Sequence, residues 1–354
     1  MHLGVKLVPS LVRIAVSIVL ASSILIVRTG APAASSPGPN RTLPSVNRPK
    51  GRIEFSAQPS TEEIFRSHAL SEPLVPVGGE PTPQENVALA AALLACGQRA
   101  AQDDFSSLTT FLAQHPNSPW QAALLTDLGL EYYNTVHYSL ALDAWTKAWS
   151  LAKDATEPRA KALADRAAGE LAYIYGKLGR MSELEPLLHS VDKREFVGPA
   201  TERICSARAG LWEMKNRPEI SFRCGPLALH RIKLSLGGKD LGPATRVVYR
   251  SASTQQGFSL VQVAALSKEM GLNYQMAFRE PGSDLVVPAV IHWKVGHYAA
   301  IIREENGRYL LQDPTFRNDA WATKAALDEE ASGYFLVPPG PLPAGWRKIS
   351  ARTE

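Results

Sequence analysis

The residue in this sequence best placed for nucleophilic chemistry is Cys224, within Arg223-Cys-Gly-Pro-Leu-Ala-Leu229. Proline favours the first turn of a helix, and glycine is accepted as an N-cap. Gly225 and Pro226 therefore predict a helix that begins directly after the cysteine. The dipole and free N–H groups of a helix N-terminus favour an anion and lower the pKa of a thiol placed there. The pattern indicates a reactive thiolate, with a buried structural cysteine as the alternative.

A histidine and an aspartate follow on two predicted strands. Residues 296–302 make an apolar strand that opens with His297, and residues 309–314 make a second strand that closes with Asp313. The Glu-Glu-Asn-Gly sequence between them, ending at Gly307, is a hairpin signal. Whether the two polar side chains meet depends on the register of this hairpin.

Two registers are open to the hairpin. A two-residue Asn-Gly turn would pair Asp313 with Ala300, on the opposite face of the sheet from His297. A three-residue loop over residues 305–307 would pair Asp313 with Ala299 instead, on the face of His297 and one pleat away. We expect the second register, because it brings the carboxylate within reach of the imidazole.

In that register the three groups could perform acyl transfer. Asp313 would orient the imidazole of His297 through one ring nitrogen, and the other nitrogen would take the proton from Cys224. Two further histidines, His292 in the preceding strand and His230 after the cysteine, are read as core or surface residues. The Asp-Pro pair also has a plainer reading as the end of a strand, since it commonly starts a turn.

Several short motifs of this part of the chain occur in one order. They are Cys224-Gly-Pro-Leu-Ala-Leu229, Gly257-Phe-Ser-Leu260, Leu285-Val-Val-Pro-Ala-Val-Ile291, Gly296-His-Tyr298 and Gln312-Asp-Pro-Thr315. Together they resemble the bacteriocin-processing peptidase family, whose papain-like domains cleave leader peptides after double-glycine sites, often at the front of an ATP-driven exporter. The resemblance covers about a third of the chain. It implies that Cys224 is the nucleophile, His297 the general base and acid, and Asp313 its orienting partner.

The sequence departs from that family at the second oxyanion donor. The backbone N–H of Cys224 would supply the first donor. The family places a glutamine six residues before the cysteine as the second, and this chain has Pro218 there. Asn216 and Gln312 are the nearby candidates. Because losing one such donor lowers the rate on the order of 10²–10³-fold, a weak or inactive domain that binds peptides is the alternative.

Composition bounds the other classes of function. A chain of 354 residues predicts two folded units with tails. The net charge of +4 comes without a basic block, so no nucleic-acid partner is expected. The three cysteines lack zinc-ligand spacing, and no G-x-x-x-x-G-K-[ST] loop is present, so no metal, cofactor or ATPase motor is expected in this polypeptide. A disulfide between Cys96 and Cys205 stays open.

Residues 1–34 are predicted to be a signal peptide or an N-terminal membrane anchor. Lys6 and Arg13 precede the apolar run of residues 14–27, and the small residues 31–34 follow it. The run is shorter than the ~20 apolar residues of a full span, which favours export with cleavage. Arg28 would also suit an uncleaved anchor, and a cytoplasmic protein is the remaining alternative. We expect a periplasmic, extracellular or membrane-anchored protein.

The rest of the chain divides by pattern. Residues 35–86 are rich in proline, serine and glycine and predict a linker, whereas residues 87–215 predict helices. The spacing of Leu128, Gly129, Tyr132, Ala141, Trp145 and Ala148 is typical of a tetratricopeptide repeat, in which small residues let two antiparallel helices approach. A plain helical bundle is the alternative. Such repeats commonly bind a peptide or protein partner on a concave surface.

The predicted fold is therefore multidomain, with tetratricopeptide-like helices followed by an α+β papain-like domain over residues 216–338 and a tail over residues 339–354. We expect an exported or membrane-tethered cysteine peptidase that hydrolyses peptide bonds through Cys224, His297 and Asp313. The alternatives are a peptide-binding relative without activity, a scaffold whose repeats carry the function, and other acyl transfer to a cell-wall peptide.

Overall fold

The computed structural model describes residues 53–237 and 241–350, all of which belong to the same structural unit. The predicted signal peptide or anchor lies outside the described residues, as does the first part of the predicted linker. Within the described ranges, no helix is both long and apolar enough to cross a membrane.

The first part of this unit is helical. Its eight helices are α1 (Thr61–Arg66), α2 (Pro83–Gly97), α3 (Ser106–Gln114), α4 (Gln121–Asn134), α5 (Tyr138–Ala152), α6 (Pro158–Leu178), α7 (Met181–Ser190) and α8 (Pro199–Asn216). A methyl group at Gly129 of α4 would lie 2.3 Å from Nε1 of Trp145 in α5. The small residue thus lets the indole lie against the neighbouring helix, where Nε1 donates to the carbonyl of Thr126 at 3.2 Å. The assignment of these helices to tetratricopeptide repeats stays a prediction.

The described part of the predicted linker is packed against the helices instead of forming an extended linker. Ile64 in α1 is 1% exposed and Leu74 is 2% exposed, and both belong to the apolar core of the first helices. The backbone N–H of Val77 donates to the carbonyl of Pro119 at 2.8 Å. Apolar residues scattered among prolines have no period that predicts burial, but they can still pack against helices that present an apolar face.

The second part combines helices with a sheet. Its helices are α9 (Pro218–Ser221), α10 (Cys224–Ser235), α11 (Gly242–Arg250), α12 (Leu260–Glu269) and α13 (Lys324–Glu330), and its strands are β1 (Gln275–Arg279), β2 (Ala289–Trp293), β3 (His297–Glu305), β4 (Arg308–Asp313), β5 (Arg317–Thr323), β6 (Ala331–Val337) and β7 (Trp346–Lys348). The strand order is β5-β4-β3-β2-β6-β1-β7 and every pairing is antiparallel. The predicted sequence of a helical part followed by an antiparallel α+β domain is confirmed.

Both faces of the sheet are buried, and β3 illustrates the alternation. Ala299 and Ile301 belong to a core shared with the helical part, including Tyr138 and Trp145. Ala300, on the other face, belongs to a core shared with α10, α11 and α12. The sheet therefore stands between the helical part and the helices that follow Cys224, and side chains at the start of β3 lie where the two cores meet.

The predicted C-terminal tail adds an edge strand to the sheet. Trp346 in β7 pairs with Arg279 of β1 and is 9% exposed, and Ile349 is 6% exposed. The indole Nε1 of Trp346 donates to the carbonyl of Asp284 at 2.8 Å. The sequence did not predict this strand, because it follows a proline-rich segment and three residues are too few to show an alternating pattern.

Candidate active site

Cys224 is the first residue of α10, with Arg223 at the N-cap, so the helix begins two residues earlier than the predicted start at Pro226. Gly225 does not cap the helix; it lies within the helix, where close packing requires a residue without a side chain. A methyl group there would lie 2.6 Å from Cγ2 of Val263 in α12. Pro226 is accommodated because first-turn N–H groups have no acceptor within the helix. The thiol thus lies at a helix N-terminus, as the sequence predicted, and the side chain is half-buried.

His297 and Asp313 form a buried pair at the end of the sheet. Nε2 of His297 lies 2.7 Å from Oδ2 of Asp313, and the two residues are 3% and 5% exposed. The other carboxylate oxygen, Oδ1, accepts from the backbone N–H groups of Thr315 and Phe316 at 2.8 and 3.4 Å. With both oxygens occupied, the carboxylate holds the imidazole by Nε2 and leaves Nδ1 for the thiol.

The hairpin reaches the expected register by a different route. Its turn is the two-residue Asn306-Gly307 turn, with φ of 53° and 73°, and not the predicted three-residue loop. A bulge between Ile301 and Arg303 then shifts the pairing by one residue, so that Ala300 pairs with Gln312. Asp313 consequently falls beside Ala299, on the face of His297. The predicted contact is present, but the bulge produces it.

The thiol of Cys224 and the imidazole of His297 are close enough for each to shift the pKa of the other. Burial raises the pKa of Cys224, but the imidazolium charge and hydrogen bonding from the imidazole and from the backbone of Tyr298 outweigh burial and hold the pKa below its ordinary value. Burial lowers the pKa of His297, but the negative charges of Asp313 and of the thiolate raise it by more than burial lowers it. The pKa of His297 therefore lies above its ordinary value. These opposite shifts favour a thiolate–imidazolium pair, which is the nucleophilic form.

An aromatic ring that the sequence did not single out packs on the catalytic imidazole candidate. The ring of Phe316 lies edge-on to the ring of His297, with centroids 4.8 Å apart. Tyr138 of α5 stacks on Phe316 at 4.5 Å, and the hydroxyl of Tyr133 donates to the carbonyl of Phe316 at 3.4 Å. The helical part thus buttresses the turn that carries Asp313. No local pattern predicts a contact between residues so far apart in sequence.

The two amides predicted as oxyanion donors are placed elsewhere. Nδ2 of Asn216 donates to the carbonyl of Trp212 at 2.7 Å, within α8. Nε2 of Gln312 donates to Oδ1 of Asp319 in the neighbouring strand β5 at 2.9 Å. Neither residue is part of the cleft lining beside Cys224. Both amides are thus hydrogen-bonded within α8 or to a neighbouring strand. Closeness to Cys224 in sequence, on which the prediction rested, did not reveal these bonds.

A cleft of about 870 Å³ opens beside Cys224 and is lined by two other amide side chains, Gln255 and Gln256. Oε1 of Gln256 accepts from the hydroxyl of Thr254 at 3.1 Å, which leaves Nε2 as a donor. The sequence feature that could have indicated these two residues is their position directly before the motif that begins at Gly257. His292 also lines the cleft; burial, with the nearby charge of His297, lowers its pKa to about 4, so its imidazole is neutral at pH 7.

Two comparisons with known proteins gave matches. The sequence profile of the Peptidase C39 family matches residues 224–339, about a third of the chain. A crystal structure of a double glycine motif protease from an AMS/PCAT transporter, in complex with the leader peptide, is similar at 19% identity over 33% of this chain and 86% of that chain, with a TM-score of 0.28. No curated protein matches the chain significantly. Residues 224–339 are thus a peptidase C39 domain, preceded by a helical part.

Proposed function

We propose that this chain is a cysteine peptidase that hydrolyses peptide bonds through a thioester acyl-enzyme on Cys224. The observation that carries the proposal is the chain of contacts from Asp313 through His297 to the thiol, with the 2.7 Å pair at its buried end. A C39 domain supports the same reaction class. The substrate is a peptide or an unfolded segment of a protein, because the nucleophile lies on an open cleft.

The reaction follows from the protonation states. The thiolate sulfur of Cys224 attacks the scissile carbonyl carbon, and the C–N bond breaks as Nδ1 of His297 protonates the leaving amine. The neutral imidazole then takes a proton from water, whose oxygen attacks the thioester. Expulsion of the thiolate releases the acid and restores the thiolate–imidazolium pair. Asp313 holds the ring throughout and stabilises its charged form.

The oxyanion formed in each step needs hydrogen-bond donors. The backbone N–H of Cys224, in the first turn of α10, has no acceptor within the helix and supplies one. We assign the second to Nε2 of Gln256, because this residue lines the cleft and its Oε1 accepts from the hydroxyl of Thr254. This assignment replaces Asn216 and Gln312.

A second candidate function is peptide binding without cleavage. Pro218 stands where the related family carries its glutamine, and neither predicted substitute reaches the cleft. Loss of one oxyanion donor lowers rates on the order of 10²–10³-fold without removing the cleft. Export or membrane tethering by residues 1–34, and a protein partner on the helical part, belong to either version of the proposal.

Incubation of the full chain with denatured casein separates the two candidates. Wild type is expected to generate new peptide amino termini, detected by mass spectrometry, whereas Cys224→Ala and His297→Ala generate none. Casein that shields Cys224 from alkylation and remains intact would favour the peptide binder. Intact casein without shielding would contradict both.

A further inference from the structure

The helical part contributes directly to the cleft beside Cys224. One face of α8 lines it, with Ser206, Gly210 and Glu213 spaced three or four residues apart, as a single helical face requires. Gly176 and Gly179, at the end of α6, continue that side. We refer to these five residues as the helical wall.

Other lining residues of the cleft belong to the peptidase domain. They are Gln255 and Gln256 in the loop before α12, Phe258, and Tyr298 of β3. The cleft is therefore lined by two regions that are distant in sequence. A polypeptide whose carbonyl reaches Cys224 would enter a cleft that both regions line, because the thiol lines the same cleft.

Gly210 marks the open position of the helical wall. A methyl group built on it meets no heavy atom within 4 Å, although the residue lies in the interior of α8. The room in front of Gly210 is thus cleft. Trp212, also part of the lining, is 59% exposed, an unusual state for so large an apolar side chain. It offers an indole to an apolar side chain of a bound polypeptide.

We propose that the helical wall is part of the substrate-binding site and holds an unfolded polypeptide on its way past Cys224, an inference that rests on the proposed peptidase function. The occupant is an extended chain for two reasons. A cleft of about 870 Å³ exceeds what a dipeptide needs, and extended chain advances only ~3.3–3.6 Å per residue. Both regions also contribute polar residues to the lining, Ser206 and Glu213 from α8 and Gln255 and Gln256 from the peptidase domain, which suits main-chain hydrogen bonds.

Shielding of Cys224 from iodoacetamide tests this wall in the full-length chain. The probe is denatured, carboxymethylated casein, and the measured quantity is the casein concentration that halves the alkylation rate. Gly210→Leu is expected to raise that concentration at least tenfold, because its Cβ meets no heavy atom within 4 Å, the rest of the side chain occupies the cleft, and leucine favours the helix. Trp212→Ala is expected to raise it several-fold. Without casein, both variants should be alkylated within twofold of the wild-type rate.

The control is Gly97→Leu, at the end of α2, where an added Cβ also meets nothing within 4 Å and the residue lies outside the cleft lining. It should behave as wild type. The inference would be overturned if Gly210→Leu left the half-shielding casein concentration unchanged. It would also be overturned if Gly210→Leu slowed the alkylation of Cys224 without casein by the same factor as it raised that concentration. A wild type that casein does not shield at all would overturn it as well. Shielding that Gly210→Leu weakens, with no cleavage products from wild type, would keep the wall and refute the peptidase function.

Discussion

The ring of Tyr138 lies nearly parallel to the ring of Phe316, with centroids 4.5 Å apart and an interplanar angle of 18°. Tyr138 belongs to the helical part and Phe316 to the turn after Asp313, whose backbone the aspartate binds. Since Phe316 also packs on the imidazole of His297, the helical part and the reactive groups share one aromatic stack. The two parts of the chain therefore act as one structural unit around the site.

Phe316→Leu tests this stack. Leucine keeps the site apolar but removes the ring edge against His297, so we expect kcat/KM to fall about tenfold, or about 1.4 kcal/mol of transition-state stabilisation. The rate of Cys224 alkylation at pH 6 should fall with it. The control is Phe335→Leu, a ring that is 0% exposed in the same core and packs on Trp346 instead. Equal losses in both variants, after correction for folded fraction, would contradict a role in holding His297.

Asp313→Asn removes a charge and keeps the shape of the side chain. The negative charge of Asp313 helps raise the pKa of His297, so its loss should lower that pKa. The thiolate–imidazolium pair exists between the pKa values of thiol and imidazole, and the basic limb of the pH profile of kcat/KM should move to lower pH. Activity at pH 7 is expected to fall on the order of 10²-fold or more. A basic limb that does not move would refute the coupling.

The second oxyanion donor can be identified by comparing three amides. We expect Gln256→Ala to lower kcat by about 10²–10³-fold with little change in KM, since an oxyanion donor acts in the transition state. Asn216→Ala and Gln312→Ala should stay within twofold, because both amides are bonded outside the cleft. A larger loss from Gln312→Ala than from Gln256→Ala would overturn the assignment.

Gly179 connects the helical part to the segment before Cys224. It ends α6 with φ of 74°, and a methyl group there would lie 2.6 Å from Cε1 of Phe222. Gly179→Ala should therefore displace Phe222 and slow Cys224 alkylation several-fold, in addition to losing about 1 kcal/mol of stability from the left-handed backbone.

The matched control for that variant is Gly271→Ala. Gly271 follows α12 with φ of 72°, and its methyl group would meet only the flexible end of Lys233, at 3.8 Å. Denaturant unfolding should give a similar backbone effect in both variants, and only Gly179→Ala should alter alkylation. Identical alkylation rates in the two would show that Phe222 does not transmit the change.

Local patterns predicted the parts of the site that local physics determines. A proline two residues after Cys224 predicted a helix start, and the apolar run of residues 298–302 predicted a strand, which the structure buries on both faces. The contact of Asp313 with His297 was predicted correctly, but with the wrong turn. The hairpin has the two-residue turn that Asn-Gly favours, and the bulge after Ile301 that restores the contact is not visible in the sequence. Register at a bulge depends on packing on both faces of the strand.

Contacts between the helical part and the peptidase domain could not be predicted in the same way. The stack of Tyr138 on Phe316 and the lining of the cleft by Gly210 join residues that no short motif relates. The packing of Leu74 and Trp346 in segments expected to be linker and tail has the same origin. Burial in these places comes from tertiary contacts rather than from periodicity.

The central claim is that His297 activates Cys224, and the alkylation rate of Cys224 as a function of pH tests it most directly. The measurement compares wild type, His297→Ala and, as the labelling blank, Cys224→Ala. Wild type should react rapidly well below pH 8.5, the ordinary pKa of a free thiol being about 8.5. His297→Ala should react only at high pH, because burial then raises the pKa of the thiol without an opposing charge. Slow wild-type alkylation with an ordinary pKa, indifferent to the loss of His297, would contradict the account.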